Sequence, residues 1–227
     1  MEIFFKLLLC YLLGSVSGSI LLGKFKGINI REMGSGNAGG TNAFRTQGAL
    51  FAAGVMAIDI IKGFISTKFI STASLPVFST TIVNQNLLII LCGVAAIIGH
   101  VYPLYHGFKG GKGAGAAIGM VIAISWPSIS LAILLWMVIL ILTGYVGFGT
   151  MIGSVSVIYF AHYFKNTINN PYFLPFTVLL SIFIFYTHRS NIQRMFSGTE
   201  NRFEKAIIFR KILRIHQKDV KTADRTD

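Results

Sequence analysis

The sequence predicts an all-α fold, a polytopic bundle of transmembrane helices, and three observations carry that expectation. The chain is 53% hydrophobic with a mean hydropathy of +0.67, too apolar for a soluble domain of this length. Apolar stretches recur from the first residues to about position 187, without an internal repeat. Charge is placed unevenly: ten of the twenty Lys and Arg residues follow Thr187, and Lys24, Lys26, Arg31, Arg45, Lys109 and Lys112 fall in two earlier polar loops. That asymmetry follows the positive-inside rule, so the net charge of +12 reads as contact with an anionic membrane surface and phosphorylated substrates, not with nucleic acid.

A crossing takes about 20 apolar residues. Candidate spans are 3–22, 48–70, 86–106, the long run 114–163, and 172–187. The first resembles a signal peptide but lacks a basic leader and a small-residue cleavage site, so it reads as a retained span. The run 114–163 holds one crossing or three, broken near Trp126–Pro127 and at Gly144, Gly147 and Gly149. Seven spans are expected, with five as the fallback. Either odd number leaves the N-terminus outside, the C-terminus cytoplasmic, and the polar loops together on the inner face. The membrane domain covers 1–200, and 201–227 is a basic amphipathic to disordered tail that begins with Phe203 and Ile207.

Two charges fall inside a span, Asp59 and Lys62, one turn apart; they read as an inward ion pair or as support for a site. Cys10 and Cys92 lie in apolar segments without partners at metal-ligand spacing and read as buried thiols; no metal or cofactor is indicated.

Three polar segments carry the chemistry. The first runs Gly34-Ser35-Gly36-Asn37-Ala38-Gly39-Gly40-Thr41-Asn42-Ala43-Phe44-Arg45. Its glycines leave backbone amides open to an anion, Ser35, Asn37, Thr41 and Asn42 add short donors, and Arg45 adds a fork matched to phosphate. The second runs from Gly99 and His100 to Lys109-Gly110-Gly111-Lys112-Gly113. It lacks the hydroxyl that a nucleotide-binding P-loop needs after its lysine, which leaves a backbone nest with two ammonium groups ahead of a helix near Ala114. His100 is a ligand for substrate or an interfacial histidine satisfied by backbone. The third contains His188, Arg189, Asn191, Arg194 and Glu200. If helix 172–187 continues by a turn, His188 and Asn191 share a face and can grip a polar headgroup.

These segments resemble, in order and near spacing, the signatures of the bacterial acyl-phosphate:glycerol-3-phosphate acyltransferase family, often called PlsY. The resemblance covers the chain to about Glu200. It implies a seven-span acyltransferase that moves a fatty acyl group from acyl phosphate to glycerol 3-phosphate, giving lysophosphatidic acid and inorganic phosphate for phospholipid synthesis in the bacterial inner membrane. The partners implied are glycerol 3-phosphate, acyl phosphate and membrane lipids, with no obligate protein partner. By the resemblance, Ser35, Arg45, Lys112, His188 and Asn191 are the catalytic set, and Gly34, Gly36, Asn37, Thr41, Asn42, His100, Lys109, Gly110, Gly111, Gly113 and Glu200 contact substrate or phosphate. Two departures stand out: Ala114-Gly115-Ala116 occupies the place of the family's usual Val-Ala-Thr, and Gly40 that of an Ala. No His is followed five residues later by Asp, the pair used by other glycerolipid acyltransferases. The competing class is a transporter for an organic phosphate anion, which also needs glycine-broken spans and cationic loops. Against it, the cations cluster on one face and no inverted repeat is present.

Overall fold

The computed structural model describes residues 1–74 and 83–203; the greater part of the basic tail expected from 201 onward lies outside the described residues. Within them the chain forms ten α-helices: α1 (Glu2–Ser15), α2 (Gly18–Phe25), α3 (Gly40–Gln47), α4 (Ala49–Ile65), α5 (Gln85–Val101), α6 (Ala114–Ile124), α7 (Trp126–Thr143), α8 (Val146–Tyr163), α9 (Phe173–Thr187) and α10 (Arg189–Phe196). Four helices are long and apolar enough to cross a membrane, α4 being extended to Ile70 by a π-turn and α5 to His106. The count rises to six if each of two bent pairs, α1 with α2 and α9 with α10, is one span; α6 is apolar but shorter.

The stretch expected as the first span, 3–22, is broken: α1 and α2 meet at a 48° bend, and only together are they long and apolar enough for one crossing. Val16 at the break is extended, and its carbonyl accepts from Lys62 Nζ at 2.7 Å. Across the break the Gly18 amide lies 3.4 Å from Asp59 Oδ1, and Asp59 is 2.9 Å from Lys62. A broken helix in an apolar medium leaves backbone groups that need partners. The buried Asp59–Lys62 pair supplies one acceptor and one donor at that point.

Helix crossings are made by small residues, which let backbones approach in the absence of a hydrophobic drive between helices. A Cβ on Gly14 of α1 would collide with the Ala96 carbonyl of α5, and one on Gly119 of α6 with the Ile60 carbonyl of α4. The run 114–163 is three helices, as the sequence breaks suggest. Pro127 sits in the first turn of α7, where its missing N–H is not needed. Gly144 ends α7 in the left-handed region, φ 75°. Gly147 and Gly149, expected as break points, are instead buried inside α8. They serve close packing: Gly149 faces the Trp136 ring and Gly147 faces Asn191. The principal core lies among α5, α6, α7, α8 and α9 around Met120, Ile129, Met151, Phe176 and Leu180. Cys10 and Cys92 are buried together with Leu88 in a smaller cluster.

Candidate active site

The first polar segment is organised by Asn42, which is 1% exposed. Its Nδ2 donates to the carbonyls of Ile30 (3.1 Å) and Met33 (2.9 Å), and its Oδ1 accepts from the Ser35 amide (2.9 Å). With both donors committed, Asn42 shapes the loop. The Gly36 amide is also taken, by Met33 O at 3.0 Å. What remains for an anion is the N-terminus of α3, opening at Gly39, Gly40 and Thr41 on the same hollow as Ser35, Asn37 and Arg45. Arg45 Nη2 donates to Asn201 O at 3.2 Å. Burial lowers the Arg45 pKa, and the Glu200 carboxylate opposes that shift.

In the second segment the expected open nest is corrected. The amides of Gly110 and Gly111 donate to Val101 O and His100 O, 3.1 Å each, tying the loop to the last carbonyls of α5. These glycines are needed for proximity: a Cβ on Gly110 would meet the His100 carbonyl, and one on Gly111 the His100 ring. Lys109 is exposed and away from the cavity, whereas Lys112 lines it. The Lys112 carbonyl accepts from Thr187 Oγ1 at 3.0 Å, and its Nζ donates to Asn191 Oδ1. Burial, then the positive charge of Arg194, pushes the Lys112 pKa down to about 8, with Glu200 acting the other way. His100 is buried, and its Nδ1 lies 3.3 Å from Asp59 Oδ1, a close contact without hydrogen-bond alignment.

The third segment bends where a continuous helix was expected. His188 caps α10, which turns 54° from α9. His188 and Asn191 nevertheless line one cavity. His188 Nδ1 lies 2.8 Å from Ile184 O, a pure acceptor, so the hydrogen of the neutral ring is on Nδ1 and Nε2 accepts. Asn191 Nδ2 donates to Glu200 Oε1 (2.8 Å), and Arg194 Nε donates to Glu200 Oε2 (2.6 Å). Both carboxylate oxygens of Glu200 are thus engaged, and its charge would repel phosphate. It holds Asn191 and Arg194 in place. Residues 201–203 strap the rim together: Arg202 Nε donates to Tyr145 OH (2.7 Å), and the Phe203 ring packs on Phe44 with centroids 4.9 Å apart. Phe203 is therefore packed on α3.

The result is one cavity of about 650 Å³. All five residues expected to be catalytic line it, as do Asn37, Thr41, Asn42, His100 and Glu200; Gly34, Gly36, Lys109, Gly110, Gly111 and Gly113 do not. The sequence reading missed three contributors. Gly147 is read from the sequence as a helix break, and Arg194 and Trp136 receive no site role there. Arg45, Lys112 and Arg194 against Glu200 leave the mouth net positive, while Val121, Ile129, Val157 and Leu180 make the interior apolar. A cationic mouth over an apolar hollow suits an amphiphile with an anionic head.

Fold and cavity thus define a multi-pass integral membrane protein with a cationic mouth above an apolar cavity. Residues 4–198 match the family model described as glycerol-3-phosphate acyltransferase, and the chain belongs to that family. The glycerol-3-phosphate acyltransferase of Chlorobaculum tepidum is 38% identical over 86% of this chain and 94% of its own length. That of Aquifex aeolicus is 34% identical over 89% of this chain and 100% of its own. The crystal structure of PlsY (YgiH), an integral membrane glycerol 3-phosphate acyltransferase, in its glycerol 3-phosphate form, is similar with a TM-score of 0.76 and 33% identity. It covers 89% of this chain and 96% of that one.

Proposed function

We propose that the protein moves a fatty acyl group from acyl phosphate to the 1-hydroxyl of glycerol 3-phosphate, at the cytoplasmic face of a bacterial inner membrane. The observation that carries this reading is the convergence of Ser35, Arg45, Lys112, His188 and Asn191, from three separated segments, on one cavity with a cationic mouth and an apolar interior. Arg45, Ser35 and the N-terminus of α3 hold the phosphate of glycerol 3-phosphate, and Lys112 neutralises the phosphate of the donor. The hydroxyl oxygen bonds to the acyl carbonyl carbon, the bond from that carbon to phosphate oxygen breaks, and phosphate leaves with the electron pair. The hydroxyl proton ends on the released phosphate, and His188 Nε2 accepts a hydrogen bond from the attacking group. Proximity and charge neutralisation supply the rate without a protein nucleophile or cofactor. Seven spans, with α6 as a short crossing, and a cytoplasmic C-terminus are supported by Lys24, Arg45, Lys112 and Arg194 lying in the inner-face segments.

The test is phosphate release from palmitoyl phosphate by purified protein in lipid, with and without glycerol 3-phosphate and in EDTA. Release should require glycerol 3-phosphate, persist in EDTA, and fall by about two orders of magnitude or more in Arg45→Ala. Uptake of glycerol 3-phosphate into vesicles without acyl transfer would instead show a transporter.

A second expectation concerns Gly147. A Cβ there would stand 2.8 Å from Asn191 Nδ2. Gly147→Ala should displace the Lys112–Asn191–Glu200 chain and lower kcat/KM by about tenfold or more, since misplacing a group by an ångström is costly. Full activity in that variant would free Asn191 of a positioning role.

A further inference from the structure

We infer that Gly153, above a floor formed by Val121, Ile129, Val157 and Leu180, sets the length of acyl chain the protein accepts; this rests on the acyl-transfer reading. The floor residues come from four different helices, α6, α7, α8 and α9, and each is at most 6% exposed. All four line the same cavity as the cationic mouth. Counting down three of these helices from the mouth gives similar depths. Ten residues separate Gly147, beside Asn191, from Val157; eight separate His188 from Leu180; nine separate Lys112 from Val121. At 1.5 Å per helical residue these are about 15, 12 and 13 Å. Val121, Val157 and Leu180 thus line the cavity about 12–15 Å below its cationic mouth.

Its walls carry hydroxyls that do not face an occupant as free donors. Thr150 Oγ1 donates to Val146 O (2.9 Å), and Ser154 Oγ donates to Met151 O (2.7 Å) and pairs with Ser181 Oγ (3.1 Å). Hydroxyls bonded back to their own helix leave the slot apolar, as an acyl chain requires. Gly153 lies about two-fifths of the way along α8, six residues from Gly147 and four from Val157. A Cβ added there meets nothing closer than Ala132 O and Trp136 Cβ, both at 3.8 Å, so the backbone tolerates a side chain. The further atoms of a larger residue have the cavity to enter. Gly153 is thus the open step of the slot, and the absence of its side chain gives the slot its full length.

The experiment measures kcat/KM of the full-length protein in lipid for octanoyl, lauroyl, palmitoyl and stearoyl phosphate, and for the matching thioesters. Gly153→Leu should lower the lauroyl-to-octanoyl ratio at least tenfold, because each methylene accommodated or refused is worth roughly tenfold or more. Val157→Ala should raise the palmitoyl-to-lauroyl ratio severalfold. An equal loss for all lengths, or an unchanged profile, overturns the inference. Should Gly153→Leu fail to fold, Gly153→Ala and Val157→Phe read the same ratios. Wild-type transfer from thioesters but not acyl phosphates would sink the donor assignment alone, because the thioester series still reads the slot; no transfer from either class would sink both.

Discussion

Lys112→Ala is expected to lower kcat/KM about a thousandfold or more, near 4 kcal/mol of transition-state stabilisation, with little change in thermal unfolding. The residue is held both by its backbone and by its ammonium. The Lys112 carbonyl accepts from Thr187, its Nζ reaches Asn191 Oδ1, and Asn191 is fixed in turn by Glu200. Without that cation the departing phosphate would face the Glu200 carboxylate across the cavity. The fold should survive because Asn191 keeps Glu200 and the backbone contact through Thr187 is untouched.

The same residue gives the reaction a pH limit. With the pKa lowered to about 8, first by burial and then by Arg194, Lys112 loses its charge in the free protein as pH rises through that value. The protonated form is the one that attracts phosphate, so kcat/KM should fall about tenfold per pH unit above about pH 8. A bound phosphate raises the pKa of a neighbouring ammonium, so kcat should hold to higher pH than kcat/KM. Lys112→Arg should lose the alkaline fall while keeping part of the rate, because guanidinium stays charged. A wild-type kcat/KM that stays level to pH 10 would contradict the role given to Lys112.

How much of this could be read in the sequence depended on whether a feature is local. Spans, breaks at Trp126 and Gly144, and the clustering of Arg45, Lys112, His188 and Asn191 near one face follow from residue type and order. Glycine roles did not, because a glycine looks the same whether its amide is open to a ligand or its missing Cβ admits a neighbour. Gly110 and Gly111 proved to be of the second kind, packed on the end of α5, and Gly147 lies against a residue 44 positions away. Lys109 and Lys112 differ only in which way the loop faces after Gly110 and Gly111 bond to α5. Glu200 could be placed near phosphate but not given its partners, since Arg194 meets it only because the chain doubles back after α10. The bend at Val16 was hidden for a similar reason: the residues that hold it, Asp59 and Lys62, lie on another helix.

That bend underlies the largest stability effect expected. Asp59 and Lys62 are each 2% exposed and 2.9 Å apart. Removing one partner of a buried pair leaves the other as an uncompensated charge, at a cost of about 3–5 kcal/mol. Asp59→Ala should therefore cost on that order, seen as a large drop in the unfolding temperature of the purified protein in lipid. Two further groups lose a close contact with it: the Gly18 amide across the break, and His100, whose ring abuts Gly111 immediately before Lys112. Activity at a temperature where the variant is folded should fall as well. Adding Lys62→Met removes the stranded charge and should restore much of the stability. The Val16 carbonyl would still lack its donor, and an unsatisfied buried backbone group retains a cost of about 1–3 kcal/mol. The ordering expected is wild type above the double variant, and the double variant above Asp59→Ala. If Asp59→Ala were as stable as wild type, Lys62 would have to be reaching water, and the pair could not be what holds the break between α1 and α2.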